Sequence, residues 1–321
     1  MLYRNIKDTD LNVSAVCLGG GSFGDALNEE ATFTLLDAFV RGGGNFVDTA
    51  NVYCRWVPGK GNCSEQVIGK WLKARGAYKD VIVATKGAHY RIDDSEKTPR
   101  VNRKEIREDL EDSLTALGLD TIDFYWLHRD DPSMPVEEIV DIMEEFCREG
   151  LIRYYGFSNY KTERAARAKE YAAGKGLTGP AAVSNQWSMA SVNPGHNLNP
   201  DPTLVLFGEE EYRWHEETGV PSIPFSSSAL GFFEKLDKAG GDPALLAPVM
   251  RNAFWNEENQ KKYEKLCALR EETGLPLQTL SLAWLTAQPF TVIPVCGARN
   301  CEQLESVLTV GDLQLPLSAF C

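Results

Sequence analysis

The chain has 321 residues, of which 43% are hydrophobic, and it carries a formal net charge of −13 at neutral pH. This acidic balance argues against general binding to nucleic acid or to anionic membranes. The longest apolar stretches are only strand-sized and the first residues lack the apolar core of a signal peptide, so we expect a cytoplasmic protein without a membrane span. The length fits one α/β domain over residues 1–321.

The eight cysteines and four histidines show no spacing typical of a metal site, so no metal is expected. No Cys-x-x-Cys pair occurs, and a chain of this size can build a core without disulfides. In a cytosolic protein all eight thiols are therefore expected to be reduced.

Strand-like and helix-like segments alternate along the chain. The predicted strands are Val16–Gly19, Phe46–Asp48, Val81–Lys86, Ile122–His128, Arg153–Ser158, Ala182–Trp187, Ser222–Ser226 and Thr291–Val295. The predicted helices are Glu29–Arg41, Ser64–Ala74 (with Ser64 as N-cap and Gly76 as terminator), Arg103–Leu117, Val136–Arg148, Lys161–Ala173, Asn256–Thr273, Leu277–Ala287 and Cys301–Leu308. Such alternation predicts a parallel sheet with right-handed crossovers, and eight units favour a closed (β/α)8 TIM barrel over an open sheet.

Four polar side chains stand at or just after the ends of predicted strands, namely Asp48, Tyr53, Lys86 and His128. The carboxyl ends of barrel strands form the active face of this fold. Reduction of a carbonyl needs a hydride, which a cofactor must supply, and a proton for the oxygen. The ammonium of Lys86 is expected to lower the pKa of the Tyr53 phenol, with Asp48 holding Lys86 in place. His128 would then orient the carbonyl oxygen or relay the proton.

At these positions the chain resembles the aldo-keto reductases, and the likeness runs nearly end to end. Asp48 and Tyr53 match the family's Asp-x4-Tyr, residues 84–86 match its Ala-Thr-Lys, and His128 matches its strand-ending His. The resemblance implies that Tyr53 is the general acid, that Lys86 and Asp48 tune it, and that His128 positions the substrate.

The resemblance also implies a nicotinamide cofactor. Residues 156–159 resemble the family's Gly-x-Ser-Asn and residues 185–187 its sixth-strand Gln, so the carboxamide would be bound by Ser158, Asn159 and Gln186. The first-strand turn implies cofactor contacts near Gly21, Ser22, Phe23 and Asp48. The segment 224–233 implies that Phe225 stacks on the nicotinamide and that the following backbone covers the pyrophosphate, through Ser226, Ser227 and Gly231.

Residues 293–306 resemble the family's adenosine-phosphate segment and favour NADP (NADPH) over NAD. Arg299 would supply charge to a 2′-phosphate, Gly297 the turn and Gln303 a polar contact to the adenosine. Two features depart from the family pattern: Ser306 stands where an Asn usually reads the adenine, and Arg299 is the single cation of the stretch.

The substrate is expected to be a small carbonyl or alcohol, such as a sugar-like or hydroxy-carbonyl compound or a small aldehyde. The candidate substrate-binding residues are Phe23, Trp56, His128 and Trp187, and His89 and Tyr90 are further candidates for the pocket wall. Three long loops follow strands at 51–63, 87–100 and 189–209 and are expected at the pocket mouth. The last of them, with Asn197 and Asn199, is expected to be irregular and to help select the substrate.

Two alternatives remain open at this stage, together with the oligomeric state, for which a homo-oligomer is compatible with the sequence. One alternative is a regulatory subunit that binds a nicotinamide cofactor with little turnover, which would need the nucleotide contacts but not His128. The other is a barrel hydrolase or aldolase that uses Lys86 as a Schiff-base amine, against which the nicotinamide-type residues argue.

Overall fold

The computed structural model describes residues 1–196 and 201–320. The strands are β1 (Tyr3–Asn5), β2 (Asn12–Ser14), β3 (Cys17–Gly19), β4 (Phe46–Asp48), β5 (Ile82–Gly87), β6 (Ile122–Leu127), β7 (Ile152–Ser158), β8 (Val183–Ser184) and β9 (Val295–Cys296). The helices are α1 (Glu29–Arg41), α2 (Cys63–Arg75), α3 (Arg103–Leu117), α4 (Val136–Arg148), α5 (Thr162–Gly174), α6 (Glu209–Thr218), α7 (Phe232–Lys238), α8 (Pro248–Phe254), α9 (Glu257–Thr273), α10 (Leu277–Thr286) and α11 (Cys301–Asp312).

Seven strands form one parallel sheet in the order β8-β7-β6-β5-β4-β3-β9. The remaining gap is closed by Ser222, which bridges to Val183 on one side and to Val292 on the other. The predicted (β/α)8 barrel is thus confirmed. Its seventh strand is reduced to isolated bridges, in a stretch where Pro221 and Pro224 provide no backbone N–H for the ladder.

The barrel interior is filled by apolar side chains, and its N-terminal end is covered by an antiparallel hairpin of β1 and β2 that the sequence analysis did not predict. Ile6, Leu11 and Val13 of this hairpin pack in one buried cluster with strand residues that include Phe46 and Phe124. The open end of the barrel is therefore the end at which the strands terminate, where the candidate site residues lie.

Most predicted helices are present with boundaries within two residues of the prediction, and α1, α3 and α4 agree fully. The prediction that Ser64 caps α2 is wrong, because the helix begins at Cys63 and Ser64 lies inside it. The Ser64 hydroxyl donates instead to the carbonyl of Gly20 at 2.8 Å and lies 2.7 Å from the hydroxyl of Thr49. Ser64 thus joins α2 to the ends of the first two barrel strands. Gly76 ends the helix in the left-handed conformation, as predicted.

Helix α6 lies before the seventh barrel strand, and helices α7 and α8 lie between the seventh and eighth strands. None of these three helices was predicted. Residues of α7, α8, α9 and α10 form a separate apolar cluster that includes Phe232, Phe254, Leu266 and Leu280. None of the described helices is both long enough and apolar enough to cross a membrane.

Candidate active site

The strand register brings the four polar residues to one end of the barrel. Asp48 is the last residue of β4 and pairs with Ala84 of β5, two residues before Lys86. His128 directly follows β6, and its backbone N–H donates to Gly87 at 2.9 Å. Tyr53 follows in a tight turn in which its backbone N–H donates to Ala50 at 3.0 Å.

Lys86 is the centre of this group. Its buried ammonium donates to the Asp48 carboxylate, to the backbone carbonyl of Thr49 at 2.7 Å and to the hydroxyl of Tyr53 at 3.4 Å. An ammonium has three N–H donors, so every donor of Lys86 has a partner. Both charged side chains of the Lys86–Asp48 ion pair are almost completely buried, which fixes the amine next to the phenol.

The charges of this group depend on the balance between burial and pairing. Burial raises the pKa of Asp48, and the neighbouring Lys86 opposes that rise. Burial disfavours the charged form of Lys86, but the Asp48 carboxylate and the Tyr53 hydroxyl outweigh it and raise the pKa of Lys86. The amine is therefore a cation at neutral pH.

Lys86 acts to lower the pKa of Tyr53, as expected, but burial outweighs it and the net pKa of Tyr53 is raised. Burial raises the pKa of Tyr53, and the Lys86 cation offsets only part of the rise because the Asp48 carboxylate acts against it. A phenol with a raised pKa carries its proton at neutral pH. Such a phenol can act as a proton donor, and the cation beside it would stabilise the phenolate left behind.

His128 is a neutral imidazole next to Tyr53. Its ring centroid lies 6.0 Å from that of Tyr53 in an edge-on arrangement. Burial, with help from the nearby Arg129 cation, holds the pKa of His128 well below its ordinary value. The Nδ1 atom of His128 has no hydrogen-bond partner among the described residues.

The loop that carries Tyr53 is crosslinked by a disulfide between Cys54 and Cys63. The expectation that all eight thiols are reduced is therefore wrong at this pair. The physical reason is proximity: the loop folds back so that the two Cα atoms are 5.7 Å apart, a normal separation for a disulfide. A nine-residue spacing in sequence does not reveal this return path.

The residues predicted to bind the nicotinamide carboxamide meet at the ends of β7 and β8. The Asn159 amide donates to the carbonyl of His128 at 3.2 Å and to the Ser158 hydroxyl at 3.1 Å, and its oxygen accepts from Val205. Asn159 has a positive φ of 62°, which is unusual for a residue other than glycine. The Ser158 hydroxyl proton and the second lone pair of the Asn159 oxygen remain for a ligand amide. Gln186 is buried beside them, and its backbone forms isolated β-bridges with Leu206 and with Phe225.

Two backbone segments predicted to contact the cofactor are residues 225–231 and the turn at Gly21 and Ser22. In the segment 225–231, Ser226 and the three consecutive residues Ala229, Leu230 and Gly231 have positive φ. The step from right-handed Ser228 to left-handed Ala229 is of the kind whose successive N–H groups can form an anion-binding concavity. Phe225 is half-buried and Ser227 donates to Pro224 at 2.8 Å. At the end of β3, Gly21 is exposed and Ser22 is half-buried.

The segment predicted to bind adenosine phosphate lies at the start of α11. Arg299 is exposed, and no carboxylate within 1–196 and 201–320 forms an ion pair with it. Gln303 accepts from the Arg299 backbone N–H at 2.9 Å, so it shapes this turn. Gly297 is exposed and Ser306 is half-buried one turn further along the helix.

The predicted substrate contacts are only partly brought together. Trp56 is 46% exposed, and its ring centroid lies 6.1 Å from that of Tyr53. Phe23 is fully buried in the core, and Trp187 stacks on Phe207 within an aromatic cluster with Phe290. Trp187 also contacts Trp284 of α10 edge-on, with ring centroids 5.4 Å apart. Substrate binding by Phe23 and Trp187 stays a prediction.

An ionic group beside the site was missed in the sequence analysis. The buried carboxylate of Asp201 accepts from the Tyr90 hydroxyl at 2.6 Å and from Arg129 at 3.2 Å, and it pairs with Lys97 at 3.0 Å. These contacts place the start of the described segment after residue 200 next to the loop 87–100. Arg129 could have been noticed as the residue after His128, but its partner is 72 residues away. The loop 189–209 is irregular where it is described, as predicted, and Asn197 and Asn199 lie outside the described residues.

Comparisons with known proteins identify the family of this chain. The model of the aldo/keto reductase family matches residues 15–320. An uncharacterized oxidoreductase, YrpG, of Bacillus subtilis is 28% identical over 98% of this chain and 92% of its own length. The norsolorinic acid reductase stcV of Emericella nidulans is 28% identical over 95% of this chain and 76% of its own length.

Two further proteins extend the comparison. The aryl-alcohol dehydrogenase [NADP(+)] of Phanerodontia chrysosporium is 28% identical over 95% of this chain and 80% of its own length. The crystal structure of the thermostable aldo-keto reductase Tm1743 superimposes with a TM-score of 0.69 at 23% identity, over 100% of this chain and 97% of that one. The chain therefore belongs to the aldo/keto reductase family and is an NAD(P)H-dependent oxidoreductase.

Proposed function

We propose that this protein reduces an aldehyde or ketone to an alcohol with NADPH, and that Tyr53 gives the proton to the carbonyl oxygen. The single observation that carries the proposal is the buried contact chain from Asp48 through Lys86 to Tyr53, beside His128. A phenol next to a fixed cation can release a proton to a developing alkoxide while the cation stabilises the phenolate. In the reverse direction the same phenolate would accept the proton from an alcohol.

His128 would position the carbonyl oxygen. The lowered pKa of His128 leaves its imidazole neutral, so it can donate one hydrogen bond but has no acidic proton to give up. The raised pKa of Tyr53 keeps the phenol protonated, so the phenol is the proton source. The edge-on contact between the two rings lets both groups face one oxygen atom. In this arrangement Lys86 and Asp48 act on the reaction through Tyr53.

Three further observations support a nicotinamide cofactor at this mouth. When bound, such a cofactor supplies the hydride. Ser158 and Asn159 retain one donor and one acceptor, which matches the two ends of a carboxamide, and Gln186 would complete that set. The segment 225–231 would cover the pyrophosphate, with Phe225 against the nicotinamide. At Gly21 an added Cβ atom would meet no atom within 4 Å, so the backbone there borders open space where Ser22 could approach a phosphate.

The preference for NADP over NAD would rest on Arg299, whose guanidinium has no ion-pair partner in the described part of the chain. Gly297, Gln303 and Ser306 would frame the adenosine around it. The relative from Phanerodontia chrysosporium carries NADP(+) in its name, which is consistent with this assignment.

Steady-state turnover with NADPH and NADH, over a panel of aliphatic, aromatic and hydroxylated aldehydes and ketones, tests the proposal. Arg299→Ala should weaken NADPH binding by roughly 1.5–3 kcal/mol, the range for a charged hydrogen bond, and change NADH binding little. Equal losses for both nucleotides would remove Arg299 as the reader of the 2′-phosphate. Binding of NADPH with no turnover of any carbonyl would favour a regulatory nicotinamide-binding role instead.

A further inference from the structure

His89 lies one turn beyond the strand end that carries Lys86, in a conformation set by its neighbours. Ala88 before it has a positive φ of 58°, and its backbone N–H donates to Asp109 at 2.8 Å. The carbonyl of His89 accepts from Arg100 at 3.0 Å. A non-glycine residue in the left-handed region is held there only by such surrounding contacts, and residues of this kind cluster at functional sites. The turn directs the His89 ring back over the mouth of the barrel.

The ring of His89 contacts the candidate site directly. Its centroid lies 4.8 Å from that of His128, in an edge-on arrangement, and His128 in turn contacts Tyr53. His89 is only 8% exposed, yet it also borders a cavity of about 690 Å³ together with Asn51 and Tyr90. The ring therefore lies between the candidate site and a cavity whose other lining residues include Arg55, Arg100 and Asp112.

The hydrogen-bonding state of His89 follows from one contact. Its Nδ1 atom lies 2.8 Å from the backbone carbonyl of Tyr90, which can only accept, so Nδ1 carries the proton. Burial and the nearby Arg129 cation lower the pKa of His89 to about 4, and the ring is neutral at physiological pH. The other nitrogen, Nε2, then carries a lone pair and accepts no hydrogen bond from the described residues. Nε2 is thus an acceptor without a hydrogen bond from the described residues, on a ring that packs against His128.

We propose that His89 is a specificity-determining residue, whose Nε2 atom accepts a hydrogen bond from a substrate hydroxyl one or two carbons away from the reacting carbonyl. The inference rests on the proposed function, since His128 is taken to hold the carbonyl oxygen. Two adjacent rings, one donating to the carbonyl oxygen and the other accepting from a hydroxyl, match the donor and acceptor order of a hydroxy-carbonyl compound. The preferred substrate class is thus a hydroxylated aldehyde or ketone, not a plain aliphatic one.

The test compares glyceraldehyde with propanal, which share a three-carbon skeleton and differ in hydroxyl groups. His89→Phe keeps a ring but removes the acceptor, and it should lower the ratio of kcat/KM for glyceraldehyde to that for propanal about fivefold. His89→Gln should restore most of that ratio, because its amide oxygen can occupy the place of Nε2. The hydrated fraction of each aldehyde is the same for the parent and the variants, so it cancels when kcat/KM for one substrate is compared between them. Tyr78→Phe, in the turn before β5 at the opposite end of the barrel, serves as the matched control.

Several outcomes would overturn the inference while leaving the proposed function intact. One is an equal fall for both substrates in His89→Phe, which would indicate a packing role. Another is a parent enzyme that reduces propanal but not glyceraldehyde, and a third is a loss of selectivity in His89→Gln as large as in His89→Phe. Absence of turnover with every carbonyl tested would instead contradict the proposed function itself, and the inference with it.

Discussion

Lys86 shows how one residue sets the properties of the site. Because its ammonium is paired with the buried Asp48, much of its positive charge is already offset when Tyr53 experiences it. Burial therefore dominates and the phenol keeps its proton at neutral pH. The cation would become fully useful only when negative charge develops on the Tyr53 oxygen, and that is the property required of a group that assists a proton donor.

Behind Lys86, a buried carboxyl offers a test of the polar layer under the site. Glu65 accepts from the Thr85 hydroxyl at 2.6 Å and from the Asn62 amide at 2.8 Å, and burial raises its pKa from 4.5 to about 7. In the unfolded chain Glu65 ionises near pH 4.5, whereas in the folded protein it keeps its proton up to about pH 7. Its contribution to stability is therefore lost as the pH rises through this window, by about 3 kcal/mol in total.

The side chain introduced by Glu65→Gln cannot titrate. The free energy of unfolding of the variant, relative to that of the parent, should therefore rise by about 3 kcal/mol between pH 4 and pH 8. Urea unfolding of both proteins at several pH values measures this difference. Parallel pH profiles for the two proteins would show that Glu65 ionises normally in the fold.

At the scale of elements, the disulfide closes the loop that carries the candidate proton donor, and a second loop packs against the bridge. Cys54 directly follows Tyr53, and Cys63 is the first residue of α2. The loop after β3 packs against this bridge at Gly24, which has a φ of +73°. A Cβ atom at Gly24 would lie only 2.8 Å from the backbone oxygen of Cys63, so glycine permits the close approach. The two loops thereby form one wall of the mouth.

Opening the bridge should loosen that wall. Cys54→Ser combined with Cys63→Ser should lower the free energy of unfolding by about 2 to 3 kcal/mol, because a short loop is no longer closed in the unfolded chain. Thermal and urea unfolding measure the change, and a dithiol reductant applied to the parent should reproduce it. Cys301→Ser changes an exposed free cysteine and serves as the control. Unchanged stability in the double variant would mean that the bridge does not constrain the protein.

The sequence predicted elements well where local signals coincide. Helix α3 has Asn102 as its N-cap and Gly118 in the left-handed conformation at its end, and both signals are readable in the sequence. The β1–β2 hairpin was missed because its strands are only three residues long. The Ser64 prediction failed since a serine suits an N-cap and a buried hydrogen bond equally well, and only the packing of α2 decides between them.

At the scale of the whole molecule, parallel strands explain why the candidate site was largely predictable. Residues at the ends of successive strands must meet at one end of a barrel, so Asp48, Lys86 and His128 converge once the fold is known. Contacts between remote loops have no such rule. The pairing of Arg129 with Asp201 depends on the path of intervening loops, and no local pattern in the sequence encodes it.

The central claim is that Tyr53 donates the proton at this site, and Tyr53→Phe tests it most directly. The variant removes one hydroxyl and keeps the ring, so the affinity for NADPH should stay within about twofold of the parent's, while kcat for carbonyl reduction falls about 10²- to 10⁴-fold. A nucleotide titration together with steady-state kinetics measures both quantities on the same preparation. A variant that binds NADPH and reduces carbonyls at a rate comparable to the parent's would contradict the account.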